Sequence, residues 1–491
     1  MGVPVDALAD RADAAATRLL AADSVLLASH IDADGLTSAG IAARALERAG
    51  ISFDVVFSKQ LDADEIAAIA RMEPETVFFT DFGSGQLDII VEHEAEGAFT
   101  PVIADHDQPA EAETTYHVNP LLSGIDGGSE LSGAGTAYLI ARALAEREDR
   151  TTGTVTESDH AGDANRDLAA LAVVGAVGDM QTVEGELVGA NCAIVKEGIE
   201  AGVLEVGTDL SMYGTQTRPL PKLLEYASDV RVPGITNDPS GAIRFLDGLD
   251  LELQTGSEWR TWADLDHDER RTVVSALVKR ALRKGVPADD VDQLVGTTYL
   301  LANETPGTTL RDASEFSTLL NATARYDRAD VGLAVCLGDR DRAFEEAERL
   351  LRQHRRNLSE GLDWVRESGV SSEDAIQWFH ADDRIRETIV GIVAGMALGT
   401  DGIDRSKPIV AFAYKSDAPE ETKVSARGTG PLLGKGLDLS VVMREASREV
   451  GGDGGGHAIA AGATVPRGSE SRFLTVADGL VAEQIGPTTS G

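Results

Sequence analysis

Cysteine is almost missing from this chain: Cys192 and Cys336 are the only two in 491 residues. Two thiols cannot build a disulfide scaffold or a Cys-rich zinc site, so a reducing, cytoplasmic setting is expected. Lysine is also scarce, at nine residues, and the basic residues total 44 against 82 acidic ones, for a net charge of −38. No apolar run suffices for a membrane span; the longest, such as IVGIVAGMALG at 389–399, are about half of what a bilayer needs. The opening residues, MGVPVDALADRADAAATRLL, lack the basic start of a secretory signal and carry early aspartates. What is present points to a soluble, folded protein. Hydrophobic residues make up 42%, enough for several cores, over a length that suits roughly three domains.

A charge this negative ordinarily argues against nucleic-acid partners. Here the acidic residues are spread through the chain rather than gathered in a tail, a pattern that resembles proteins from salt-loving archaea. In molar salt the Debye length shrinks to about 3 Å, so local contacts, not net charge, decide which partners bind.

The first half alternates strand-like and helix-like segments. Strands are predicted at Ser24–His30, 53–57, 76–81 and 101–105, and helices at 39–49, within 62–72, at 135–145 and at 167–177. This repetition predicts a doubly wound parallel sheet, whose site lies at the carboxyl ends of the strands. The polar stretch 146–165 reads as an exposed insertion and the closing GPTTSG as a frayed tail. The expected organisation is an α/β domain over 1–190, a helix-rich connecting region over 191–330 and a smaller α/β domain over 331–491. The last of these holds a charged helix at 341–360, a strand IVAFAY and a Gly-rich close.

Chemistry concentrates at the ends of the predicted strands. His30, Asp32 and Asp34 lie in the loop HIDADGLTS, where Gly35 permits a tight turn and Thr37-Ser38 can cap the next helix. Oxygen and imidazole ligands suit Mn²⁺ or Mg²⁺. Alone, the triplet fits a solvated acidic turn equally well. Asp81 ends TVFFTD, Asp105-His106-Asp107 follow PVIA, and Asp179 follows AVVGAVG. Each could be a cap or turn residue; together they fit a two-metal phosphate site. Ser132-Gly133-Ala134-Gly135 opens an apolar helix whose small residues let the backbone approach a ligand or another element. The Gly-rich Gly451–His457 could present backbone N–H groups to an anion, or be a flexible loop around Asp453. Arg427 offers a bidentate phosphate fork, or is a surface arginine in a strand.

In order and spacing, HIDADGLTS, the Asp81 strand end, DHD at 105–107 and GDM at Asp179 resemble the first four motifs of the DHH phosphoesterases. SAR at 425–427 and GGGH at 454–457 resemble the DHHA1 domain that accompanies them. The whole is similar to archaeal RecJ-like single-strand exonucleases, as is RDASEFSTLLNATARYDRADVGLAVCLGD at 311–339. The resemblance implies an N-terminal doubly wound DHH domain, a helical middle and a C-terminal DHHA1 domain. It implies that His30 and Asp32 hold one Mn²⁺, that Asp34, His106 and Asp179 hold the other, and that Asp81 bridges them; Mg²⁺ is an alternative. Asp105, His106 and Asp107 fall in the catalytic motif, but Asp107 stands where the family has a second histidine. Ser425, Arg427, Gly454, Gly455, Gly456 and His457 would hold the nucleic-acid backbone.

The implied activity is hydrolysis of single-stranded nucleic acid to 5′-mononucleotides, 5′→3′ on DNA, with replication or repair proteins as possible partners and no membrane. Two other readings stand beside it. One is a phosphodiesterase for short RNA or cyclic dinucleotides. The other is a replication-complex scaffold with weakened catalysis, for which Asp107 leaves room.

Overall fold

The computed structural model describes residues 3–152, 165–227, 230–400 and 402–486. They form two compact units, 1–348 and 349–491. The division falls later than the boundary expected at 331. The helix Ala329–Cys336 packs into the first unit, where a side chain at Gly332 would strike Leu36 and one at Gly40 would strike Cys336.

The first unit is built on five parallel strands, β1 (Ser24–His30), β2 (Ser52–Ser58), β3 (Thr76–Thr80), β4 (Thr100–Ala104) and β5 (His117–Val118), in the order β2-β1-β3-β4-β5. β1, β3 and β4 are short and almost wholly buried, so they read as continuous apolar runs rather than alternating ones. Helices α1 (Ala9–Leu20), α2 (Ala33–Arg48), α3 (Ala63–Ala70), α4 (Leu87–Ala95), α5 (Gly133–Thr152), α6 (Ala169–Gly178) and α7 (Ala190–Glu200) accompany the sheet. The strand order reverses between β1 and β3, which makes a crevice at their carboxyl ends.

Two helix starts differ from expectation. α2 begins six residues early because Asp32, not Thr37-Ser38, is its N-cap, accepting the Gly35 N–H at 3.0 Å. Thr37 lies inside the helix and donates to the Ala33 carbonyl. α5 begins at Gly133 and continues to Thr152, into the stretch read as an insertion. The rest of that stretch, 153–164, and the tail 487–491 lie outside the described residues.

The middle region is helical but hangs on a two-stranded antiparallel ribbon, Leu204–Leu210 against Val295–Leu301. Between those strands lies a lobe with its own core, including Leu223, Trp262, Val273 and Leu277. Glu315, fully buried in the helix Ala313–Arg325, pins the start of the lobe by accepting from the Gln216 N–H (2.7 Å) and the Thr217 hydroxyl (2.5 Å).

The second unit carries a six-stranded mixed sheet, ordered Ser371–Ser372, Gln377–His380, Ile409–Tyr414, Glu421–Arg427, Ala460–Pro466, Asp453–Gly456. One face packs on the helix Val390–Ala397, the other on Leu439–Glu449 and Glu470–Ile485. The Gly-rich segment, read as an anion-presenting turn or a flexible loop, forms an edge strand over Asp453–Gly456. Asp453–Gly456 pairs with Ala460–Pro466, and a Cβ at Gly454 would lie 2.7 Å from that of Ala463, so glycine is what lets the strand close on its neighbour. The charged helix runs over Arg342–Ser368, longer than expected, with Leu350, Leu351 and Val365 buried. Among the described residues no helix is long and apolar enough to cross a membrane.

Candidate metal centre

β1, β3 and β4 deliver their terminal residues to one place. His30 closes β1, and its Nδ1 lies 3.2 Å from Asp32 Oδ1 and 3.5 Å from Asp81 Oδ2. His106, just beyond β4, places Nε2 3.4 Å from Asp81 Oδ1 and 3.8 Å from Asp34 Oδ2. Two groups of potential ligands result, His30–Asp32–Asp81 and Asp34–Asp81–His106, each with its ligand atoms within 4.8 Å of one another. Asp81 belongs to both. It is held in the left-handed region at φ 60°, a strained setting that aspartate tolerates better than most residues, while its N–H donates to the Ala104 carbonyl at 2.8 Å.

The neighbouring helices shape the carboxylates. Asp34, 2% exposed, accepts the N–H groups of Gly133 (2.7 Å) and Ala134 (3.0 Å) at the start of α5. Gly133 and Ala134 thus let the start of α5 approach protein carboxylates, while Gly135 leaves room for Leu131 and Ile194. A Cβ at Gly133 would lie 2.3 Å from Asp81 Oδ1, and one at Gly175 of α6 would lie 2.3 Å from Asp34 Oδ1. Gly133→Ala is therefore expected to push Asp81 aside and weaken Mn²⁺ binding roughly 10–100-fold, as loss of a ligand's supporting shell does. Titration calorimetry checks this; unchanged affinity would mean the centre tolerates a displaced Asp81.

His106 is oriented from behind. Its Nδ1 lies 2.7 Å from the Gly127 carbonyl, so Nδ1 carries a proton and Nε2 is the atom directed toward Asp81 and Asp34, able to ligate a metal once its own proton is lost. Gln181, fully buried, donates to the same carbonyl (2.7 Å) and to Asp179 Oδ2 (2.9 Å), and Asn191 donates to its Oε1 (2.9 Å). Asp179 lies on the Nδ1 side of His106, at 3.7 Å, and outside the two tight ligand groups. Gly127 and Gln181 were not legible as site residues, because their roles depend on a carbonyl direction and a turn that no spacing encodes.

Asp105 differs from its neighbours. It is fully buried, and its carboxylate accepts the N–H groups of Ser84 (2.8 Å), His106 (2.7 Å) and Asp107 (3.3 Å). These bonds position the loop that carries His106 and Asp107. Asn119 completes the hold, donating to the Ser84 hydroxyl and the Asp107 carbonyl. Asp107 is exposed, on backbone fixed at both its N–H and its carbonyl.

The electrostatics describe a centre short of positive charge. Burial, then the charges of Asp34 and Asp32, hold the Asp81 carboxyl well above its ordinary range, with His106 and His30 opposing. Asp179 is pushed up to about 7 by burial and then by Asp34, against His106. Burial lowers the basicity of His30 and His106, but the carboxylates around them outweigh it and raise both. Asp32 goes the other way: burial works against ionisation, yet His30 and the Gly35 N–H keep it well below the usual carboxylate range. Crowded, buried carboxylates held above their ordinary range, beside imidazoles whose basicity they raise, are what a divalent-cation site should show without its cation.

In the second unit Ser425 and Arg427 lie on the strand Glu421–Arg427. Gly391 leaves the room they occupy, since a Cβ there would lie 2.7 Å from Arg427 Nη2 and 3.0 Å from Ser425 Oγ. Lys423 was missed, although the alternation in KVSAR places it on the same face. It is half-buried, and burial, then Lys415 and Arg427, lower its basicity. His457 is exposed at the hairpin turn, where its N–H donates to the Ala460 carbonyl.

Fold and centre together define an α/β protein of the DHH type with a carboxylate–imidazole site at its topological switch point. The comparisons make this specific. The DHH-CID domain matches residues 212–295, the lobe carried on the antiparallel ribbon, and the DHHA1 domain matches 375–483. An uncharacterized protein of Methanocaldococcus jannaschii is 28% identical over 465 residues, 93% of each chain. RecJ of Thermus thermophilus, solved in complex with Mn²⁺, has a TM-score of 0.60 at 18% identity, over 99% of this chain and 56% of that one. This chain thus spans little more than half of that RecJ. CDC45 of Entamoeba histolytica has a TM-score of 0.63 at 10% identity, over 95% and 97% of the two chains. The chain thus carries a DHH-CID domain and a DHHA1 domain, and it has the RecJ-like fold.

Proposed function

We propose that this protein is a metal-dependent phosphodiesterase that trims single-stranded nucleic acid from an end, 5′→3′ on DNA, and releases 5′-mononucleotides. The observation that carries this reading is the pair of three-ligand groups sharing Asp81. His30, Asp32 and Asp81 would hold one Mn²⁺, and Asp34, Asp81 and His106 the other, with Asp179 beside His106; Mg²⁺ is an alternative. Such ions, when bound, supply an activated water near neutral pH and neutralise charge on the phosphate. The chain's own residues set the conditions: Gly127 fixes the His106 tautomer, Gln181 holds Asp179, and the α5 amides orient Asp34. On the second unit, Lys423, Ser425 and Arg427 share a strand face suited to a phosphate.

The fold likeness to CDC45 favours a second reading, a replication-associated subunit. A scaffold, however, has no need of a full ligand set. The test offers end-labelled single-stranded DNA, RNA and dinucleotides to the purified protein in high KCl with Mn²⁺. Wild type should shorten a single-stranded substrate and Asp179→Ala should not. Equal activity in both would locate the chemistry elsewhere. Asp107→His should keep or raise the rate; a large loss would show that Asp107 has a role of its own.

A further inference from the structure

Met180 combines features that work against stability. It follows Asp179 at the end of α6, where the chain makes a Schellman turn: Met180 N–H donates to the Val177 carbonyl (3.2 Å) and Gln181 N–H to the Ala176 carbonyl (3.0 Å). That turn puts Met180 at φ 57°, a position glycine ordinarily fills. Among the described residues, eight other than glycine have positive φ, and seven of these are Asp, Asn or Glu. Met180 is the one apolar side chain in the set, and it is 84% exposed. Glycine would remove both the strain and the exposed apolar surface. The turn itself is needed, since it returns the chain so that Gln181 can hold Asp179 and the Gly127 carbonyl.

We propose that Met180 is the contact for the nucleobase of the nucleotide being cleaved, an inference that rests on the single-strand phosphodiesterase reading. Its neighbour on one side is Asp179, 3.7 Å from His106, so a phosphate at the metal centre brings its nucleoside within reach of this turn. Val177 and Thr182, which flank the turn in sequence, line a cavity of ≈200 Å³ together with Tyr213 and Thr298, room enough for a base. The base is the one part of a nucleotide with a broad apolar face, and a thioether packs well on an aromatic ring. The contact reads no base edge, so it would favour nucleotides over base-free phosphodiesters without selecting a sequence.

The experiment uses the full chain and compares Met180→Gly, Met180→Leu and wild type. Met180→Gly should unfold at a higher temperature, bind Mn²⁺ as wild type does, and show a KM for single-stranded DNA about tenfold higher with kcat little changed. Met180→Leu should retain the wild-type KM. On a strand whose terminal unit at the digested end is abasic, Met180→Gly and wild type should become equal. An equal loss for Met180→Gly on normal and abasic strands, or a KM within twofold of wild type, would overturn the proposal. Strand binding by fluorescence anisotropy gives the same comparison without turnover. If wild type hydrolyses neither strand, the phosphodiesterase reading fails, while the binding comparison still decides the role of Met180.

Discussion

Asp81→Asn should abolish hydrolysis while leaving the metal-free protein as stable as wild type, or more so. Asp81 is the carboxylate common to both ligand groups, so its loss removes an anionic ligand from each. If each ion supplies several kcal/mol of transition-state stabilisation, the rate falls on the order of 10³-fold or more. The expected stability has a separate origin. Asp81 is 7% exposed, and burial and the charges of Asp34 and Asp32 hold its carboxyl well above its ordinary range, so a neutral group costs less to bury there than a carboxylate. Asparagine has the shape of the neutral carboxyl and tolerates the left-handed backbone at φ 60° about as well. Thermal unfolding with chelator at pH 8, beside Mn²⁺ titration and a strand-degradation assay, checks the three parts. A chelated variant far less stable than chelated wild type would show that Asp81 holds the fold together rather than a metal.

The fold was largely legible because the strands are short apolar runs stopped by aspartate. SVLLASH, TVFFT and TPVIA cannot be amphipathic helices, and each is followed at once by a polar turn. The same punctuation exposed His30, Asp32, Asp34, Asp81 and His106, since a parallel sheet gathers the carboxyl ends of its strands. What failed to show depends on three-dimensional fit. Leu204–Leu210 has five successive positions that are not buried, so no alternation marks it as a strand. Gly454 reads as a loop residue until Ala463 is seen to leave no room for a side chain. Asp105 looked like a catalytic residue because of its neighbours, whereas its own oxygens are taken by three backbone amides. Met180 stood in sequence only as the last residue of GDM, since its backbone angle is what makes it unusual.

Without metal, the protein should lose stability as pH rises through about 7, and Mn²⁺ should restore it. The sign follows from Asp179, pushed up to about 7 by burial and then by Asp34. Between the ordinary carboxylate range and that value, the folded chain holds a proton that the unfolded chain has released. Stability therefore falls with rising pH across this window. His30 and His106, both raised, act with the same sign at higher pH, their contributions being lost as pH climbs through their folded-state values. Asp32, held low, acts with the opposite sign, but only under strongly acidic conditions. A divalent cation competes with these same protons, so the gain in unfolding temperature on adding Mn²⁺ should be small near pH 5.5 and grow toward pH 8. Scans at constant high KCl, with chelator or Mn²⁺, measure both trends. A chelated midpoint that rises steadily from pH 5.5 to 8, or a Mn²⁺ effect independent of pH, would mean these carboxylates do not share their protons with a metal site.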